Sequence, residues 1–353
     1  MAELRKHAGA AAWRGADLAK QDDWILALNG AQVEELEAAA RRAVDSDLAA
    51  LGRDDLPLPT LDPILDGIRD DVIDGRGFAL IRGLPVDRWS RAVTARAYWA
   101  IGARIGHAVV QNRLGHVLGH VKDIGGDAEN PTQRGYQSAA NLPFHTDIGA
   151  EVVGLLCLKP AKSGGLSSVV SAAAVWNEIL ERRPDLAEVL AAPFYRDRRG
   201  EMVEGQKPYY VMPVFMSAGE RMTVSYVRRF IESCPRHADA PAVTDAQIEA
   251  MDLLDTLAYD PAFKLDMDFQ PGDIQLVNNL VNLHTRTEYE DWAEPENKRH
   301  LYRLWLTAPD GWPLPEPLYA RYGADPTTGR PQGINLPPGV QPNAPLDAGA
   351  LIA

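Results

Sequence analysis

The chain has 353 residues, 46% hydrophobic and 24% charged, the balance of a water-soluble globular protein with room for a sizeable core. A net charge of -13, from 36 Lys plus Arg against 49 Asp plus Glu, argues against a nucleic-acid partner, because phosphate binding needs a cationic face. No apolar run reaches the ~18 residues of a membrane helix, residues 1–15 lack a secretory h-region, and Cys157 and Cys234 fit neither a disulfide framework nor a zinc spacing. The expectation is therefore a cytoplasmic protein without membrane or nucleic-acid partners, compatible with a homo-oligomer.

Residues 32–51 are rich in Ala and Glu, and Val33, Leu36, Ala40, Val44, Leu48 and Leu51 recur at roughly helical spacing. The run 77–83, apolar between glycines, predicts a buried strand, and 90–105 a helix. From His107 the texture changes to short β-like runs: 117–124, 151–158, 168–170, 209–215 and 223–226. Two helical stretches interrupt them. One starts at 172 and breaks at Pro184, within an insertion at 172–191; the other opens on the capping-box pattern Thr244-Asp245-Ala246-Gln247 and runs to about 258. The last strands are 273–277, after Pro271-Gly272, and 299–307; beyond Pro309 the chain is rich in Pro and Gly and reads as an irregular tail. Short strands closing on themselves under external helices predict an α+β chain with a β-sandwich or jelly-roll core. The expected division is a mixed region at 1–106 packed on a catalytic core at 107–308, with a tail at 309–353, making in effect one catalytic domain.

The informative stretch is Asn141-Leu142-Pro143-Phe144-His145-Thr146-Asp147. In an extended segment alternate side chains share a side, so the His145 imidazole and the Asp147 carboxylate project together. One more histidine from a distant strand would complete a two-His, one-carboxylate set, which leaves open positions and suits non-haem iron(II). His284 follows the turn Pro271-Gly272 and the strand after it. Then comes Lys298-Arg299-His300-Leu301-Tyr302-Arg303-Leu304-Trp305-Leu306. As a strand it sets Arg299, Leu301, Arg303 and Trp305 on one face, with the two arginines about 13 Å apart. An inward arginine is costly to bury without an anion, and a guanidinium matches a carboxylate in bidentate fashion. Taken singly, a surface His-x-Asp pair and two edge-strand arginines are the better explanation of these residues.

Together, His145-x-Asp147, the distal His284 and the Arg299/Arg303 pair resemble the taurine dioxygenase (TauD/TfdA) family of iron(II)/2-oxoglutarate oxygenases. Gly164-Gly165-Leu166-Ser167 is similar to that family's Gly-Gly-x-Ser/Thr segment, and the resemblance spans about 111–306. It implies a double-stranded β-helix, the cupin-like jelly roll, with flanking helices. It implies that His145, Asp147 and His284 are the iron ligands and that Arg299 and Ser167 bind the outer carboxylate of 2-oxoglutarate. Asn141 and Arg303 would face a small, anionic substrate. The implied reaction consumes 2-oxoglutarate and O2, releases succinate and CO2, and oxidises a substrate C–H bond, most simply by hydroxylation. The spacing from His284 to Arg299 exceeds that in taurine dioxygenase, which leaves open whether Arg299 or Arg303 is the main anchor. An Asp at 147 argues against the halogenating relatives.

Other features weigh less. His116 and His120 would lie about 13 Å apart on a strand, too far to share a metal. Arg113, Gln137, Tyr226 and Arg228 could reach a substrate from flanking segments, and the acidic run 288–296 reads as a solvated loop or a lid. Two rival functions remain at this stage. One is a metal-dependent hydrolase or isomerase on a cupin-like barrel; the other is a non-catalytic barrel that binds a small ligand.

Overall fold

The computed structural model describes residues 4–125, 138–147, 149–202 and 205–351. Helices and antiparallel strands are mixed, as expected for an α+β chain. Among the described residues the largest sheet has seven strands. Its order is Ile25–Ala27, Phe78–Arg82, Ile274–Asn278, Val152–Lys159, His300–Thr307 and His107–Ala108, with Leu118–Val121 also pairing with His300–Thr307. A four-stranded antiparallel sheet runs Lys264–Met267, Ser167–Ser171, Asn282–Arg286, Leu142–His145. Strands alternate between the two sheets over Leu142–His145, Val152–Lys159 and Ser167–Ser171, and again over Lys264–Met267, Ile274–Asn278, Asn282–Arg286 and His300–Thr307, the long 172–263 insertion lying between the two runs. The strand Phe78–Arg82 lies inside the large sheet, paired with Ile274–Asn278.

Each sheet buries its outer face under helices. Gly30–Arg42, Asp62–Ile73 and Arg91–Ile105 cover the large sheet, where Leu36, Leu65, Tyr98 and Ile101 meet Leu156, Leu276 and Leu304. Ala172–Arg182, Pro184–Ala191 and Asp245–Tyr259 cover the small one, where Val175, Trp176 and Leu254 meet Phe144, Val170 and Leu283. The capping box at Thr244 and Gln247 is formed. No helix among the described residues is long and apolar enough to cross a membrane.

Some elements differ from expectation for local reasons. The first long helix ends at Arg42, and Asp47 caps a short 3-10 turn at Leu48–Ala50 instead, its side chain accepting from Ala49 N. The expected strand 209–215 is two strands, Tyr209–Met212 and Phe215–Ala218, because Pro213 cannot donate to a ladder. The tail is not wholly irregular: it holds the helix Glu316–Tyr322 and bridges back at Gly333 and Asn343.

His120 has no metal partner but lies against His300, with Nδ1 to Nε2 at 2.8 Å, while its Nε2 meets the Pro345 carbonyl at 2.9 Å. This fastens the tail to the large sheet. Burial pushes the pKa of both rings down; His116 and Arg91 add to it at His120, and His120 and Arg91 at His300. The folded state therefore holds them neutral while the unfolded chain takes up protons below the ordinary histidine pKa. Stability is thus present above pH 6.5 and is lost as pH falls, by about 1.4 kcal/mol per pH unit for each ring that stays neutral. Urea midpoints between pH 7 and 5 should show that slope, and His120→Gln/His300→Gln should flatten it.

Candidate active site

The small sheet sets the register of the site. His284 is the ladder partner of His145, which brings the two rings to 4.3 Å between centroids. Asp147, two residues past His145, carries its carboxylate to the same side, with Oδ1 3.7 Å from His145 Nε2. One ligand atom from each of His145, Asp147 and His284 lies within 4.8 Å of the others. His145 Nδ1 sits 2.8 Å from the Pro143 carbonyl, which can only accept. That bond assigns the ring proton to Nδ1 and leaves the Nε2 lone pair for a metal.

Asp147 is held by residues from two other segments, the strand His300–Thr307 and the connection at Asn279. Its Oδ2 accepts from Arg303 Nη1 at 3.0 Å and from Trp305 Nε1 at 2.7 Å, so Oδ1 is left facing the histidines. The Asn279 side chain accepts from Asp147 N at 2.7 Å and donates to Asp147 O at 2.5 Å. Burial alone would raise the Asp147 carboxyl, but Arg303 and the two histidines outweigh it and hold it well below the usual carboxylate range. Burial, then the charge of His145, pushes His284 down to about 3. A neutral His284 imidazole beside an ionised carboxylate is the protonation state a divalent metal requires. The donor set and its charges fit iron(II).

All seven residues singled out from the sequence line one cavity of about 440 Å³ between the sheets: Asn141, His145, Asp147, Ser167, His284, Arg299 and Arg303. Arg299 is 5% exposed, its Nη1 has no hydrogen-bond partner among the described residues, and burial lowers its pKa. Gly165, with φ of +72°, passes so close that an added Cβ would lie 3.3 Å from Arg299 Nε, so the Gly-Gly turn makes room for the guanidinium. Ser167 is buried at the same end, 3.5 Å from Gln275 Nε2. Arg303, expected to face substrate, commits Nη1 to Asp147 and Nε to Gln111 at 2.8 Å. Asn141 is exposed on the cavity wall.

Of the residues weighed lower, Arg228 lines the cavity but is tied to Glu232, Asp252 and Asp255, and Tyr226 donates to Asp255. Arg113 points away, to the Gly200 carbonyl, and Gln137 lies outside the described residues. Asp291 in the acidic run accepts from the Arg299 backbone N–H. Three contributors were missed. Asn279 and Trp305 act through contacts that no local pattern encodes. Arg286, two residues after His284 and on the cavity wall, was legible from the strand alternation.

Residues 44–305 match the family described as taurine catabolism dioxygenase TauD, TfdA family. The chain belongs to the TauD/TfdA family. It is accordingly an oxidoreductase, an iron(II)- and 2-oxoglutarate-dependent dioxygenase acting on a small molecule. Among TauD/TfdA relatives, FR-33289 synthase of Streptomyces rubellomurinus is 30% identical over 318 residues, covering 88% of this chain and 93% of that one. The taurine hydroxylase-like protein SAT17 of Stachybotrys chartarum is 31% identical over 320 residues, covering 87% and 81%. Among solved structures, an asparagine oxygenase in complex with Fe(II), 2S,3S-3-hydroxyasparagine and succinate superposes with a TM-score of 0.62 at 20% identity, covering 88% of this chain and 100% of that one. That likeness establishes a shared fold.

Proposed function

We propose that His145, Asp147 and His284 hold the iron(II), that Arg299 and Ser167 hold the outer carboxylate of 2-oxoglutarate, and that the substrate is a small anion hydroxylated at a C–H bond. The observation that carries this reading is the meeting of the three ligand atoms within 4.8 Å in a cavity that is also lined by Arg299, whose Nη1 has no hydrogen-bond partner among the described residues. Iron(II) and 2-oxoglutarate bound there supply the oxidising chemistry that turns O2 and a substrate C–H bond into an alcohol, with succinate and CO2 as by-products. The chain's own residues do the holding. Arg299 offers two parallel N–H donors to a carboxylate, which fixes the cosubstrate's direction in the cavity. Arg303 and Trp305 keep Asp147 ionised and point Oδ1 inward, so Arg303 serves the metal site before any substrate. Asn141 and the apolar walls Val153, Leu155 and Leu301 border the space left for substrate.

Charge supports an anionic substrate. Arg286, Arg299 and Arg303 line the cavity, against Asp147 alone among its acidic lining residues, while Arg228 beside them is offset by Glu232, Asp252 and Asp255. With iron and both cosubstrate carboxylates in place, positive charge is still in excess, although the whole chain is acidic. A cationic cleft in an acidic protein focuses its field on anions. The two sheets are read as the halves of a double-stranded β-helix, given the alternation of their strands on either side of the 172–263 insertion, with 1–106 and 309–353 packed on it as parts of one catalytic domain. The free, buried Cys157 and Cys234 support a reducing, cytoplasmic setting. The test is succinate release across a panel matched in size but differing in charge. Phosphate, phosphonate or sulfonate compounds should raise it about 10-fold or more over the substrate-free rate, the worth of one charge-assisted contact. Stimulation by neutral or cationic members alone would refute the anionic assignment.

A further inference from the structure

Arg286 ends the strand that carries His284, and its ladder partner on the neighbouring strand is Ser167. Residues directly opposite in an antiparallel pair hold their Cβ atoms about 5 Å apart. The Arg286 side chain thus starts beside the hydroxyl assigned to the cosubstrate. Its guanidinium lies 4.6 Å from the centroid of the Tyr289 ring, and that of Arg299 lies 5.2 Å from the same centroid. Two buried cations share one aromatic ring. Three buried donors there have no hydrogen-bond partner among the described residues: Arg286 Nε, Arg299 Nη1 and the Tyr289 hydroxyl. Unpaired buried cations are costly, and like charges this near add to the cost. A carboxylate between them would relieve both, since its two oxygens offer about four acceptor positions.

The other edge of Arg286 does something Arg299 does not. Nη1 donates to the Ser138 carbonyl at 3.1 Å, and Nη2 donates to the Ala140 carbonyl. Those carbonyls belong to the segment that leads into Asn141 and the strand Leu142–His145. One guanidinium therefore spans the wall on the cosubstrate side and the wall on the substrate side.

We propose that Arg286 is a second cation for the outer carboxylate of 2-oxoglutarate, and that through it a bound cosubstrate fixes the substrate-lining segment 138–141. The inference rests on the assignment of this end of the cavity to 2-oxoglutarate. Arg286 acts by binding and positioning and takes no part in proton or electron transfer.

The test uses the full chain loaded with iron(II) without oxygen, titrated with 2-oxoglutarate and separately with 2-oxobutyrate, which lacks the outer carboxylate. Binding is read from the visible charge-transfer absorption. Arg286→Gln should weaken 2-oxoglutarate about 10-fold or more and leave 2-oxobutyrate within about twofold, as expected when only a carboxylate contact is lost. Equal weakening of both ligands would make Arg286 a structural prop, and no weakening of either would make it a bystander; each overturns the proposal. Arg286→Lys keeps a charge but not the two carbonyl bonds, and its melting temperature checks that the fold survives. In hydrogen exchange, 2-oxoglutarate should protect the amides of 138–142 in the parent protein and fail to do so in Arg286→Lys. Absence of that protection in the parent sinks the coupling. Arg299→Gln separates the two layers: if it also leaves 2-oxoglutarate binding unchanged, the cavity assignment itself has failed. If it alone weakens binding, only the role of Arg286 has.

Discussion

Asp147→Ala is expected to lower substrate-dependent succinate release by about 10³-fold or more, a barrier increase of roughly 4 kcal/mol. Two effects combine. On the proposed assignment the ligand set would lose its one anionic donor, leaving two histidines to hold iron(II) with no carboxylate to offset its charge. Arg303, 5% exposed, also loses the carboxylate that compensates it. Leaving a buried charge unpaired costs about 3–5 kcal/mol, so the melting temperature should fall as well. Asp147→Asn separates the contributions, because its amide oxygen can still accept from Arg303 or Trp305 while no longer carrying charge. That variant should melt closer to the parent and remain inactive. Full activity in either variant would mean that Asp147 is not a ligand.

Arg299→Gln is expected to raise the 2-oxoglutarate concentration needed for half-saturation by about 10²-fold, the worth of a bidentate charged contact, with iron affinity unchanged. The side chain is buried, has an unpartnered nitrogen, and approaches no carboxylate among the hydrogen bonds of the described residues except through its backbone N–H, which donates to Asp291 Oδ1 at 2.7 Å. It is therefore poised for an external anion. Because the lost contact is remote from the reacting carbon, the KM for 2-oxoglutarate should rise far more than kcat falls. The measurement is initial rate against 2-oxoglutarate concentration. A fall in kcat with an unchanged KM would move the anchor elsewhere, with Arg303 the next residue to test.

Much of this site was legible because strands have a period of two. His145-x-Asp147 projects two ligands together in any extended segment, and the alternation Arg299, Leu301, Arg303 placed all three on the cavity wall before any coordinates. The capping box at Thr244 was equally local. What stayed hidden depends on where the chain crosses between sheets. Asn279 clamps Asp147 from the connection between Ile274–Asn278 and Asn282–Arg286, and nothing near either residue announces that meeting. The division of labour between the two arginines was hidden for the same reason. Arg303 reads as a substrate contact until the Asp147 carboxylate is seen 3.0 Å away. The helix Asp62–Ile73 is absent from the sequence reading although Leu61, Leu65, Ile68 and Val72 recur at helical spacing, and Pro63 sits where a first turn tolerates it.

The most direct test of the metal and cosubstrate site is an anaerobic titration of the metal-free protein with iron(II) and 2-oxoglutarate, following the visible charge-transfer band of the iron-bound 2-oxo acid. The account predicts a band that saturates at one iron per chain and disappears in His145→Ala and in His284→Ala, both still folded. A band that survives loss of either histidine, or no band together with tight zinc or manganese binding, would contradict it.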